Sequence, residues 1–118
     1  MTDLTELNKL EKYLQEHDIP YRRIDDTGVT NMNMYSSSGS DVYYYDRHQI
    51  MVYKDKNDLM SGNNEHWIWD AICHYGSYGH EQGLLEISGS LVDETKTGDS
   101  VEGHLSASEI IERLEKEA

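Results

Sequence analysis

Five residues able to do chemistry crowd one short stretch of the chain: Asp70, Cys73, His74, His80 and Glu81. A catalytic cysteine needs a thiolate stabilised by a nearby imidazole, with a third group to orient that imidazole. Cys73 and His74 are adjacent in sequence, and on a regular strand adjacent side chains point to opposite faces, so they are badly placed as a pair. His80 would have to return across a turn to replace His74. A small cysteine/histidine-dependent hydrolase, completed by Asp70 or Glu81, is therefore an alternative, and Cys73 reads first as a small buried hydrophobe. Zinc would accept Cys73, His74 and His80 with Asp70 or His104, but the spacing matches neither paired CxxC nor HExxH ligation. The sequence predicts no catalytic set, no cofactor and no metal. His17, His48 and His66 read as surface or strand-end residues, and Asp25-Asp26 and Asp93-Glu94 as solvated pairs. Gly76, Gly79 and Gly83 lack the GxGxxG pattern and any neighbouring Lys or Arg, which favours turning and close packing over phosphate binding.

The charge distribution points to a different function class. Twenty-three acidic residues oppose ten basic ones, a formal charge of -13. Ten acids and seven bases precede Asp58, a nearly mixed population. From Asn57 to Thr95 there is no Lys or Arg, while Asp58, Glu65, Asp70, Glu81, Glu86, Asp93 and Glu94 accumulate. Binding to a phosphate backbone is driven by cationic groups that release counterions, so direct nucleic-acid binding is disfavoured and a basic protein partner fits better. Nine Tyr and two Trp with no Phe make every aromatic ring one with a polar handle, suited to half-buried strands and interfaces. The expected partner-binding residues are Glu65, Asp70, Tyr75, Tyr78, Glu81, Glu86, Asp93 and Glu94.

The elements that must position these groups follow from periodicity. Length favours one acidic α+β domain over 1–118, with a flexible loop at 35–41 where Ser36-Ser37-Ser38-Gly39-Ser40 falls. Asp3 and Glu6 have capping-box spacing, and Leu4, Leu7, Leu10 and Leu14 return at helical intervals until Pro20 ends the ladder. Tyr21 to Asp25 reads as a short strand, and Val29, Met32 and Met34 allow another. Val42 to Tyr45 and Gln49 to Lys54 read as a hairpin around Asp46-Arg47-His48, and the polar segment Asp55 to Glu65 turns at Gly62-Asn63-Asn64. His66 to His74 has apolar groups on both faces and is the candidate central strand. Leu84, Ile87 and Leu91 recur at three- and four-residue spacing, which predicts a helix over 84–92, with two strands as the other possibility. Val101 to Leu105 is extended, and Ser106, Glu109 and the Leu105–Ile110 staple start a last helix. The sum is a small, largely antiparallel sheet of three to five strands packed with N-terminal, middle and C-terminal helices.

The start of the chain has neither a basic n-region nor an apolar h-region, and with a lone Cys73 no intrachain disulfide forms, so a cytoplasmic protein is expected, with no membrane contact. The stretch Trp67, then Asp70-Ala71-Ile72-Cys73-His74-Tyr75-Gly76-Ser77-Tyr78-Gly79, followed by Gly83-Leu84-Leu85-Glu86, Val101-Glu102-Gly103 and Leu105-Ser106-Ala107, resembles small uncharacterised proteins encoded by phages and prophages of Gram-positive gut bacteria. The resemblance covers roughly residues 45 to 114 and implies antagonism of host defence, and the acidic charge adds an anti-CRISPR-like or other nucleic-acid-mimicking inhibitor to the expectations. It carries no catalytic assignment. The leading expectation is an acidic inhibitor or regulator of a basic host or phage protein that handles nucleic acid; a phage structural or assembly component is a further alternative.

Overall fold

The computed structural model describes residues 3–31, 42–60, 67–74, 77–93 and 100–117. Helix α1 spans Thr5–Glu16 and buries Leu7, Leu10 and Leu14, one stripe at helical spacing. Each buried leucine contributes roughly 2 kcal/mol of apolar transfer. Asp3 Oδ1 accepts hydrogen bonds from the Thr5 amide (3.0 Å) and hydroxyl (2.7 Å), which holds the start of the helix. Glu6 does not close a capping box with Asp3. Its Oε1 reaches 2.9 Å to the Ala107 amide and so caps the other terminal helix. After α1 the chain reverses at Asp18, whose φ is 54°, and Pro20 leads into the sheet.

Strands β1 (Tyr21–Asn31), β2 (Val42–Tyr53), β3 (Trp67–Ile72), β4 (Leu85–Gly89) and β5 (Val101–Leu105) lie in the order β1-β2-β3-β4-β5, each antiparallel to its neighbour. Consecutive strands are spatial neighbours throughout, so the sheet is a meander. Ile50 and Val52, Trp69, Ala71 and Cys73, Leu85 and Ile87, and Leu105 turn one face inward against Leu7, Leu10 and Leu14 of α1 and Ile110 of the last helix. That helix, α3, spans Ala107–Glu117. Its capping box is complete: the Glu109 amide donates to Ser106 Oγ at 3.2 Å, and Glu109 Oε1 accepts from Ser106.

The expected α+β class, with an antiparallel sheet and helices near the start, middle and end, is what the structure shows, and β3 is its middle strand. Three local expectations are corrected. The 84–92 segment is not a helix: Leu85 and Ile87 face the core while Glu86 and Ser88 face the other way, the two-residue period of a strand. Gly89 closes it at φ 97°, and a Cβ there would overlap the Ile68 carbonyl, so this glycine permits close approach of β3. The middle helix is instead α2, Lys56–Met60, inside the segment read as polar turn, with the Asp58 amide held at 2.9 Å by Asp55 Oδ1. Nor do Asp46-Arg47-His48 form a turn; they run straight through β2, opposite Thr27, Asp26 and Asp25 of a β1 longer than its short apolar signature suggested. Met32, Met34, the 35–41 loop and the Gly62-Asn63-Asn64 turn lie outside the described residues.

Candidate functional site

Between β3 and β4 the chain must turn back at the same end of the sheet where β5 finishes. Ser77 begins the turn, its amide bonded to the His74 carbonyl at 2.9 Å and its hydroxyl donating to the same carbonyl at 2.7 Å. Gly79 follows at φ 97°, and its carbonyl accepts from both Gln82 (3.0 Å) and Leu84 (2.9 Å), which wraps 80–82 into a single 3-10 turn. A side chain at Gly79 would meet the His104 backbone at 3.0 Å. The turn is thus pressed onto β5. Gly103 makes the approach possible, because a Cβ there would overlap Tyr78 Cβ and sit 2.9 Å from the Tyr78 carbonyl oxygen. His104 adopts φ 59° beside it and donates its amide to that carbonyl at 3.3 Å.

Tyr78 is therefore pinned by its backbone while its ring stays out. Its amide donates to Glu86 Oε1 at 3.0 Å, yet the residue remains 61% exposed. Beside it lies an open concavity of about 390 Å³ lined by residues 77–82 and His104. Glu81, one of the lining residues, is exposed, and Glu86 is half-buried. The arrangement places an exposed aromatic residue and an exposed acidic one, Tyr78 and Glu81, along the same concavity.

The remaining expected partner-binding residues are placed differently. Asp70 is 7% exposed on β3, and its Oδ2 accepts from Gln49 Nε2 at 2.7 Å. Its Oδ1 accepts from the Ser88 amide at 3.2 Å and from the Ser88 hydroxyl, so this carboxylate fastens β2 and β4 to β3 instead of facing solvent. Asp93 is half-buried, its amide donating to Glu102 Oε1 at 3.0 Å. Glu65, Tyr75 and Glu94 lie outside the described residues.

Cys73, His74 and His80 occupy three settings. Cys73 is fully buried with Sγ 3.4 Å from the Asp3 carbonyl oxygen, and burial, with the charges of Asp3 and Asp46, pushes its thiol up to about 11. At neutral pH it is a buried thiol, not the thiolate that nucleophilic attack requires. His74 Nδ1 accepts the His48 amide at 3.4 Å, and burial holds its imidazole below the ordinary value against the pull of Asp46 and Glu86. His80 lines the concavity.

Sequence reasoning missed His48. It is 7% exposed, with Nδ1 2.7 Å from Asp25 Oδ1 and Nε2 3.3 Å from Asp46 Oδ2. Burial opposes ionisation of Asp25, but hydrogen bonds from His48 and Arg23 outweigh it and hold the carboxyl below its usual range. With both ring nitrogens against carboxylates, His48 ties β1 to β2. The signal was Asp46 and His48 two apart, on one face of a strand, and it was lost once those residues were assigned to a turn. Gly103 was missed as well; an isolated glycine in a strand pattern marks close backbone approach.

Comparison with protein-family models, curated proteins and solved structures found no match to this chain. The resemblance to phage-encoded proteins thus rests on the quoted residues alone. Among the described residues no group of three or more His, Cys, Asp or Glu is arranged to hold a metal ion, and no helix is long and apolar enough to cross a membrane.

Proposed function

We propose that this chain is an acidic protein-binding module that docks on a basic partner through the surface around Tyr78. The observation that carries the reading is an aromatic ring held out to solvent by a pinned turn, with Glu81 on the same rim, inside a 57–95 interval devoid of Lys and Arg. Negative charge steers a basic surface toward this end of the sheet, and the ring provides contact that is desolvated on docking. The partner handles nucleic acid, and the module obstructs or regulates it by occupying a cleft built for phosphates. Antagonism of host defence, which the phage resemblance implies, accords with that role.

Capture from bacterial lysate on immobilised protein tests the proposal, with Tyr78→Ala and Glu81→Lys proteins as parallel baits. The reading predicts a basic protein retained in low salt, released in high salt, and depleted on both variants. Recovery of nothing basic, or equal recovery on all three baits, would contradict it.

A further inference from the structure

The concavity beside Tyr78 has a chemistry narrower than a general acidic surface. Its walls are the 77–82 turn and His104, its volume is about 390 Å³, and it is open to solvent. A Tyr ring attracts a cation over its face, and Tyr78 and the exposed Glu81 both line the concavity. The ring's backbone is fixed on both sides, by Glu86 at its amide and by the His104 amide at its carbonyl, so little backbone ordering remains to be lost on binding. The same molecule already pairs these groups elsewhere: the Arg22 guanidinium lies 6.0 Å from the Tyr53 ring centroid, with Nη2 donating to the Leu59 carbonyl at 3.1 Å. At Tyr53 the cation comes from within the chain. The interval from Asn57 to Thr95 that carries Tyr78 contains no Lys or Arg, and the basic side chains lining the concavity are the imidazoles of His80 and His104.

We propose that this concavity is a guanidinium receptor, seating an arginine side chain of the partner against the Tyr78 ring and the Glu81 carboxylate. The inference rests on the docking surface proposed above and names what that surface recognises. Arginine is preferred over lysine because its planar group both stacks on a ring and forks onto a carboxylate, whereas an ammonium is a compact, strongly hydrated charge.

The test is an NMR titration of the ¹⁵N-labelled full chain with acetyl-Gly-Arg-Gly-amide, and with the peptides carrying Lys or Glu in place of Arg. Amide shifts are expected to concentrate at Tyr78, Gly79 and His104, with arginine binding about threefold or more tighter than lysine and the glutamate peptide producing none. Tyr78→Ala keeps the Cβ that rests on Gly103 and so preserves the turn; it should weaken arginine binding about fivefold or more, while Tyr78→Phe, which keeps the ring face, stays within about twofold. Shifts scattered over the acidic surface, equal binding of Arg and Lys peptides, indifference to Tyr78→Ala, or no shifts at tens of millimolar peptide would each overturn the receptor. If these fail while lysate capture still depends on Glu81 and Tyr78, the docking surface stands and only its arginine specificity falls. If the peptide binds here but no basic protein is captured, the proposed function falls instead.

Discussion

Glu102 is 8% exposed on β5 with both oxygens held by the Arg113 guanidinium, at 2.6 and 2.5 Å, whereas Glu81 stands exposed on the rim of the Tyr78 concavity. The Arg113 hydrogen bonds hold the Glu102 carboxyl below its ordinary range and raise the guanidinium in turn. Arg113 also donates to the Leu91 carbonyl at 3.0 Å, so one ion pair joins α3, β5 and the turn after β4. The difference teaches that a net charge of -13 is not one uniform property. Asp70, Glu102 and Glu6 are engaged in internal hydrogen bonds, Glu102 and Glu6 with a cation beside them, whereas Glu81 faces water, where its charge can act on a partner.

The comparison breaks most visibly at Glu102. Glu102→Ala leaves a largely covered Arg113 without its counter-charge and should cost about 3 kcal/mol, the low end for a buried pair because Arg113 keeps some solvent. Chemical denaturation would measure it; a loss under about 1 kcal/mol would mean the pair is an ordinary surface bridge. Asp70→Ala strips the acceptor from Gln49, the Ser88 amide and the Ser88 hydroxyl and should cost about 2 kcal/mol, with Asp70→Asn recovering part of that. Gly103→Ala drives a methyl into Tyr78 and should cost about 1 to 2 kcal/mol while displacing the turn, seen as changed amide shifts at Tyr78 and Gly79.

The pH dependence of stability sharpens the same contrast. Folding favours neutral His74, so the unfolded chain takes up its proton first, and stability should fall as pH drops below about 6.5 toward the lowered folded value. Asp25 and Glu102, both depressed, add a second loss as pH falls through the range below about 4. Cys73 acts at the other end: its thiol stays protonated in the fold to about 11, so stability declines as pH rises from roughly 8.5, and Cys73→Ala should remove that alkaline limb. Thermal melts across pH would check all three; an acid limb unchanged in His74→Gln would remove His74 from the account.

Much of the fold was legible because its signals are local. The leucine stripe of α1, the Ser106 and Glu109 capping box, and the two-faced apolar pattern of β3 each declare themselves within a few residues. The 84–92 segment misled because Leu84, Ile87 and Leu91 also satisfy a helical period, and only its pairing with β3 and β5 selects the strand. Tyr78, Glu81 and Glu86 could be picked out by type and by the missing cations. What sequence could not supply was which acids are spent internally: Asp70 belongs to the same run as Glu81, and its partners Gln49 and Ser88 are 21 and 18 residues away. Similarly, the site depends on Gly103 meeting Tyr78, a contact made only once β5 returns to the sheet.

The most direct test of the central claim is the association rate with the captured basic partner, followed from about 50 to about 500 mM salt, where the screening length shortens from beyond 10 Å to a few Å. Glu81→Lys, an exposed change expected to leave stability within about 0.5 kcal/mol, serves as the comparison. The account predicts that wild-type association slows severalfold across this range, that Glu81→Lys starts slower with its dissociation rate nearly unchanged, and that Tyr78→Ala mainly speeds dissociation. Association that ignores salt, together with unchanged kinetics in a folded Glu81→Lys protein, would contradict it and leave the acidic rim as nothing more than a solvated face.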